Sequence, residues 1–332
     1  MRSNPNSYAR NLSLIVLAGS LFWLSSIIWP ISWTASKPYV AELQASAWVA
    51  VVIAVGAIGS LKSLRRACVF AMIAVLAATI VPRIPAFSIF QSSPTLRVMA
   101  LNTYFGGAQE KEIIAAVEKV GPDVLVLSET NPLEASAVAR ATDMQVMTEV
   151  HPGEGADGTT ILTKTEWGNR NDVKAELVRG ITRFQMPHVT ATPPVDSDNS
   201  SDSSADGDAS SHRRPVEIYG VHSLAPAGRD RGPWVRELEN IARMVGKNPG
   251  HNGRNIVIAG DFNATRSHPA FRQIDLDDCT GHMAHTPTWP TSTPVIRIDH
   301  VLTSGDCTGG GVVTVKGTDH RAVWADLAFK ED

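Results

Sequence analysis

Apolar residues fall along the chain in two patterns, long unbroken stretches up to about residue 83 and short interrupted ones after it. In the first part, residues 12–31, 43–61 and 67–81 are apolar around the whole helical circumference. A helix needs about 17 to 20 such residues to cross a bilayer core, a length the three segments reach or approach. Trp23, Trp29, Trp33 and Trp48 stand near their ends, as interfacial aromatics do. The pattern predicts a membrane domain over 1–83 with three transmembrane helices. A cleaved leader fits less well, because a leader is not followed by two further apolar segments.

Pro85 and Pro94 punctuate a linker over 84–94, after which the apolar runs shorten. Residues 96–101, 123–127, 145–150, 159–163, 181–189, 216–221, 255–259, 295–302, 311–315 and 322–329 read as strands. Residues 109–120, 232–245 and the stretch around 269–274 read as helices. Many strands, several alternating in polarity, with few helices predict an α/β (α+β) domain over 95–330. Its expected architecture is two packed sheets flanked by helices, not one doubly wound sheet. Residues 190–211 break the pattern with five aspartates, seven serines and no basic residue. They read as a disordered acidic loop inserted between strands.

Charge separates the two parts further. Residues 1–83 hold seven basic residues against the single acid Glu42, a net +6. The whole chain has 30 basic and 33 acidic residues, so the remainder carries 23 against 32, a net −9. Arg2 and Arg10 assign the N-terminus to the cytoplasm, and Lys62, Arg65 and Arg66 assign the second loop there too. Three crossings then make a multi-pass cell-membrane protein whose globular domain is extracytoplasmic. An acidic domain is poorly matched to a nucleic-acid backbone, which is gripped by clustered Lys and Arg, so strong nucleic-acid binding is not expected. Arg229, Arg231 and Arg236 form a small basic group that reads either as a seat for one phosphate or as ordinary helix-surface charge. Cys279 and Cys307 are the cysteines of the globular part. They form either one disulfide or two free thiols, a choice that depends on their separation in space.

Polar residues recur where the predicted strands end. Asn102 closes the first strand, Glu129 follows the second, His222 closes 216–221, and Asp261 and Asn263 follow 255–259. Asp299-His300 interrupts another run and Asp319-His320 precedes the last. Each alone could be a cap or turn former, but six strand ends of this kind predict one convergent site. Neighbouring strand residues face opposite sides, so Asp299 turned to the site would turn His300 away, into a structural role. A zinc site built from His222, His300 and His320 has no supporting HExxH or paired-Cys spacing. His268, His282 and His285 read as residues of solvated loops.

In this order, Leu101-Asn102-Thr103, Ser128-Glu129-Thr130, Val221-His222-Ser223, Gly260-Asp261-Phe262-Asn263, Ile298-Asp299-His300-Val301 and Thr318-Asp319-His320-Arg321 resemble the endonuclease/exonuclease/phosphatase superfamily, with its DNase I-like fold. The resemblance spans residues 96–329. It implies a four-layer α/β sandwich and hydrolysis of a phosphodiester or phosphomonoester with a divalent metal. Carried over residue by residue, it makes Glu129 the main metal ligand, with Asn102 and Asp319 completing an oxygen-only set suited to Mg²⁺ or Mn²⁺. Asp261 would orient or deprotonate the attacking water, and Asn263 would donate its amide to the phosphoryl group. His320 would contact the phosphate as hydrogen-bond donor or general acid, with Asp299 orienting its imidazole, and His222 would be a second phosphate-contacting histidine. The substrate stays open between a lipid headgroup, an inositol phosphate and nucleic acid. The alternative is a catalytically silent, membrane-bound binding or scaffold module on the same fold. The complete set of polar residues favours the enzyme, since a scaffold does not require it.

Overall fold

The computed structural model describes residues 95–150, 155–168, 172–192, 214–227, 230–266, 268–279, 287–294 and 296–329, together with 11, 15 and 18. The chain divides into two compact units, residues 1–85 with 265–272, and residues 86–264 with 273–332. In the first unit, Asn11, Ile15 and Ala18 are helical. The stretch expected to be helical around 269–274 is only a 3-10 turn, Phe271–Gln273. The three expected transmembrane segments and the linker lie outside the described residues. Among the described residues, no helix is long and apolar enough to cross a membrane.

The second unit opens with β1 (Leu96–Asn102), α1 (Glu110–Val120), β2 (Val124–Ser128), α2 (Pro132–Ala141), β3 (Met144–Val146), β4 (Thr159–Lys164) and the short α3 (Thr165–Gly168). It continues through β5 (Lys174–Val178), β6 (Met186–Ala191), β7 (Val216–His222), α4 (Arg231–Val245) and β8 (Asn255–Asp261). It ends with β9 (Asp277–Asp278), β10 (Asp299–Thr303), β11 (Asp306–Thr314) and β12 (Arg321–Ala328). Two six-stranded mixed sheets result, ordered β11-β12-β1-β2-β4-β3 and β5-β6-β7-β8-β10-β9. Each has one parallel pair, β1 with β2 and β7 with β8, while the other pairings are antiparallel. A parallel pair needs a crossover, which α1 supplies in one sheet and α4 in the other. The expectation of two packed mixed sheets is therefore met.

Strand alternation places the core. Leu96, Val98 and Ala100 of β1, Ile218 of β7, Val257 and Ala259 of β8, Val301 of β10 and Val323 and Ala325 of β12 share one buried cluster between the sheets. The intervening Met99, Leu101, Leu125 and Leu127 face outward and pack with Ile113, Ala116 and Val117 of α1 and Val138 of α2. Continuing the inward set by two residues reaches Asn102 and Asp261, continuing it by four from Ile218, past Gly220, reaches His222, and stepping back two from Val301 reaches Asp299. The parallel register sets Asn102 beside Ser128 and His222 beside Asp261, and antiparallel β10 brings Asp299 opposite Asp261. The polar strand ends thus form one layer that closes the inter-sheet core at one end of the sandwich. Gly260 is required at this end: its φ is 140°, and a Cβ there would lie 1.9 Å from the Val221 carbonyl oxygen.

Several boundaries depart from the sequence pattern. The strand expected over 181–189 starts at Met186, and β6 runs on through Ala191, so Thr190 and Ala191 are paired residues and not part of a disordered loop. The rest of the acidic segment, from residue 193 on, lies outside the described residues. Neither α2 nor β5 was expected from apolar spacing. α2 buries chiefly small residues, Ala135 and Ala139 beside Val138, and β5 is an edge strand with an exposed Lys-Ala-Glu face. The start of α2 is nevertheless encoded locally: Asn131 Oδ1 accepts from the Leu133 and Glu134 amides, and Pro132 sits in the first turn.

Cys279 and Cys307 are joined by a disulfide, with a Cα–Cα separation of 5.2 Å. Cys279 directly follows β9 and Cys307 belongs to β11, so the bridge ties one sheet to the other inside their shared core. It closes a segment of 28 residues, for which loop entropy alone gives about 3.5 kcal/mol of stabilisation. The Cys279→Ala/Cys307→Ala double variant is expected to melt about 10 °C lower than the parent. Adding reductant should lower the parent's melting temperature and leave the variant's unmoved, as followed by circular dichroism.

Candidate active site

Asn102 stands at the centre of the polar layer. Its Nδ2 donates to Glu129 Oε1 at 3.1 Å and to Asp261 Oδ2 at 3.0 Å, linking a carboxylate of its own sheet to one of the other. Its Oδ1 accepts from the Tyr104 amide at 2.9 Å and keeps a second lone pair for a cation. Glu129 has a φ of 52°, in the left-handed region that non-glycine residues rarely adopt. That conformation turns its carboxylate back over β1, where Oε2 also accepts from the Phe105 amide at 3.1 Å. Burial raises the Glu129 pKa above its ordinary value, against the opposing pull of the Asn102 amide and of His320.

Asp261 is 1% exposed, and burial pushes its pKa up to about 6, against the nearby positive His320. A carboxylate raised in this way is suited to accept a proton near neutral pH. Its Oδ1 accepts from the Asn263 backbone amide at 2.8 Å, a local turn that holds Asn263 at a φ of 49°. The Asn263 side-chain amide donates to the Ser223 carbonyl at 2.9 Å, so it braces the two parallel strands of its sheet as well as bordering the site.

The two site histidines hold different protonation states. His320 places Nδ1 3.1 and 3.0 Å from the two oxygens of Asp299, and Nε2 3.8 Å from both Asp261 Oδ2 and Asp319 Oδ1. Burial pulls its pKa down, but the carboxylates of Asp299 and Asp261 outweigh burial and raise it to about 10. At neutral pH it is an imidazolium whose Nε2–H points into the cluster. His222 donates Nδ1–H to the Ala156 carbonyl at 2.8 Å, and its Nε2 lies 3.4 Å from Glu129 Oε1 and 3.9 Å from Asp261 Oδ2. Burial, with the Phe184 ring stacked 4.7 Å away, lowers its pKa, so the neutral form leaves a lone pair on Nε2.

Asp319 precedes His320 in the turn before β12. Its Oδ2 accepts from the Trp289 indole at 2.8 Å, while its Oδ1 is buried and accepts no hydrogen bond among the described residues. Thr318 Oγ1 donates to the Asn102 carbonyl at 2.7 Å and so fastens this turn to the end of β1. Asp319 Oδ1 makes no hydrogen bond among the described residues and lies 3.8 Å from His320 Nε2; with Glu129 and the second Asn102 Oδ1 lone pair it completes the kind of oxygen donor set that a hard divalent cation takes. A second group, Asp261, Asp299 and His320, brings one donor atom from each residue within 4.8 Å of the others. A cation there would need His320 deprotonated, against the two carboxylates that hold its proton.

With the end of the sandwich assembled, residues 99–320 match the family described as Endonuclease/Exonuclease/phosphatase. The chain belongs to that family. It is accordingly a hydrolase acting on phosphate ester bonds, in a family that typically depends on a divalent metal. No curated protein matches the chain in sequence. Among solved structures, the family member from Bacteroides vulgatus is 10% identical over 71% of this chain and 99% of its own, with a TM-score of 0.51. The family protein from Bacteroides thetaiotaomicron is 12% identical over 72% of this chain and 100% of its own, at 0.50. The human Nocturnin catalytic domain with bound sulfate anion is 13% identical over 71% and 94%, at 0.50. At such identities these likenesses concern the fold.

Strand alternation had already turned His300 away from the site, whereas other residues around it gave no such signal. His300 faces away from Asp299, with Nδ1 2.9 Å from Asp278 Oδ2, Nε2 2.9 Å from the Ala264 carbonyl, and its ring edge-on to Phe262. His268, expected in a solvated loop, is fully buried, while His282, His285 and Arg229 lie outside the described residues. Trp289, which orients Asp319, and Phe184, which stacks on His222, could not be found by spacing, because each reaches its partner only through the tertiary fold. Replacing His300 with Ala would deprive the buried Asp278 carboxylate of its imidazole partner, and is expected to cost about 3 kcal/mol in urea unfolding.

Proposed function

We propose that the protein is a membrane-anchored phosphoesterase whose active domain lies outside the cytoplasmic membrane, with Glu129, Asn102 and Asp319 holding a Mg²⁺ or Mn²⁺ ion. The observation that carries this reading is the Asn102 amide held between Glu129 and Asp261, with both site histidines within 4 Å of Asp261. When bound, the cation supplies positive charge to the phosphoryl oxygens, which otherwise repel a nucleophile. The remaining work falls to the chain. Asp261 orients a water and accepts its proton as the water oxygen bonds to phosphorus. The bond from phosphorus to the ester oxygen breaks, and His320 gives its Nε2 proton to the departing oxygen. Asp299 holds His320 in the tautomer and orientation that point this proton into the site. Asn263 and His222 border the phosphate, His222 serving as a donor only when doubly protonated, because its Nδ1–H is committed to Ala156.

Membrane anchoring is supported by the three uncharged apolar segments before residue 83 and the net +6 of the residues that flank them within 1–83. The outward orientation is supported by the positive-inside distribution, and also by the Cys279–Cys307 disulfide, since such bonds persist in oxidising compartments. The net −9 of residues 84–332 argues against a polymer gripped along its backbone and for a small or lipid-borne phosphate ester.

Full-length protein in detergent is expected to hydrolyse bis-p-nitrophenyl phosphate, an inositol phosphate or a phospholipid with Mg²⁺ or Mn²⁺, and to stop on addition of EDTA. Glu129→Gln and Asp261→Asn should each lower kcat about a hundredfold or more with the circular dichroism spectrum unaltered. Activity surviving in both variants would refute the assigned roles. For topology, protease applied to intact cells should cut within residues 193–211, and complete resistance would count against the outward orientation.

A further inference from the structure

Among the described residues of the second unit, the exposed large hydrophobic side chains are Tyr104 at 47%, Phe105 at 56% and Leu133 at 83%. They sit on the loop after β1 and on the first turn of α2, which adjoin: a Cβ on Gly106 would lie 2.4 Å from Nδ2 of Asn131, the residue that caps α2. Nothing in the packing of the core calls for aromatic residues at this rim. Their backbone is also unfavourable, with φ values of 55° and 56° at two consecutive bulky residues. Such conformations persist where the surroundings over-determine them, which is common at ligand sites.

The surroundings here are the active-site residues themselves. Asn102 Oδ1 accepts from the Tyr104 amide, Glu129 Oε2 from the Phe105 amide, and the Glu129 carbonyl from the Gly106 amide at 2.8 Å. The Phe105 ring lies over Gly155, where a Cβ would approach it to 2.8 Å, next to the Ala156 carbonyl that receives His222. The two rings, with centroids 5.3 Å apart and planes inclined at 56°, therefore extend from a loop whose backbone amides bind Asn102 and Glu129, with the Phe105 ring over Gly155, and remain about half exposed.

We propose that Tyr104 and Phe105 form a subsite that stacks against a ring carried by the alcohol part of the phosphate ester. The inference rests on the phosphoesterase reading above and adds its substrate class: ring-bearing esters in preference to acyclic ones. Charge separates this occupant from a bilayer surface. Residues 102–110 and 128–134 contain Glu110, Glu129 and Glu134 and no Lys or Arg, whereas docking on anionic lipid draws on basic residues. A ring requires only an aromatic face, which tolerates many chemistries.

Calorimetry on the full-length Asp261→Asn protein with Mg²⁺, which suppresses turnover, would compare AMP, glucose 6-phosphate and the ring-free glycerol 3-phosphate. At least one ring-bearing ester should bind about tenfold more tightly than glycerol 3-phosphate, and which one does so separates a base from a sugar. In Tyr104→Leu and Phe105→Leu, which keep apolar bulk but lose the ring, that preference should fall to near unity. Equal affinities for all three esters before the loop is altered, or a preference that survives both leucine variants, would overturn the subsite and leave the hydrolase reading standing. If none of the three binds and Glu129→Gln leaves Mg²⁺ affinity unaltered, the assigned metal site fails and the subsite fails with it.

Discussion

The hydrogen bonds of the Asn102 side-chain amide hold the catalytic end of the sandwich together. Glu129 directly follows a strand of one sheet and Asp261 ends a strand of the other, and two carboxylates brought together at this end would repel unless something donates to both. One amide group does so, because its two N–H bonds diverge. The sheets can therefore stay packed through the apolar layer below, with Ala100 and Ala259 leaving room for the polar residues above them. Gly260 belongs to the same constraint, since its backbone brings Asp261 into place at a point where any side chain would strike Val221.

Around that bridge the protein sorts its charges. His320, between Asp299 and Asp261, keeps its proton, whereas His222, between Phe184 and the Ala156 carbonyl, loses its second one. Identical side chains a few ångströms from the same Asp261 oxygen thus become a cationic donor and a neutral acceptor. The difference comes from the partners of the distal ring nitrogen: a carboxylate stabilises imidazolium, while a carbonyl and an aromatic face do so far less. Asp319, with one oxygen fastened by Trp289 and the other without a hydrogen bond among the described residues, adds negative charge 3.8 Å from His320 Nε2. Together the groups suit a reaction that needs a proton acceptor, a proton donor and oxygen ligands within one small volume.

Left-handed backbone is concentrated at the same place. Tyr104, Phe105, Glu129 and Asn263 all have positive φ, and each is held by hydrogen bonds to another residue of the cluster. The strain at Glu129 turns its carboxylate toward Asn102, and the strain at Tyr104 and Phe105 sets two rings on the rim. His300 and Asp278 brace the turn after β8 from the opposite side, where the Ala264 carbonyl is held. Neighbouring residues Asp299 and His300 therefore serve the site from two faces of one strand.

Much of this was legible in the order of residues. Alternation marked the inward positions of β1, β7 and β8, and the same period carried to the strand end identified Asn102, His222 and Asp261. Alternation could not find α2, which buries Glu134, Ala135, Val138 and Ala139 with only Val138 among them apolar and larger than alanine, or β5, whose edge position lets it expose Lys174 and Glu176. It also could not decide the state of Cys279 and Cys307, because a disulfide depends on a separation in space that 28 residues of chain leave open. By itself, the sequence determined which side chains close each strand and that apolar and acidic parts are segregated along the chain, since both follow from local periodicity and composition. Only the tertiary structure decided that Asn102 would bridge two sheets, that two histidines would differ in charge, and that Trp289 would orient Asp319. Those outcomes depend on distances and burial between residues far apart in the chain, which no local pattern contains.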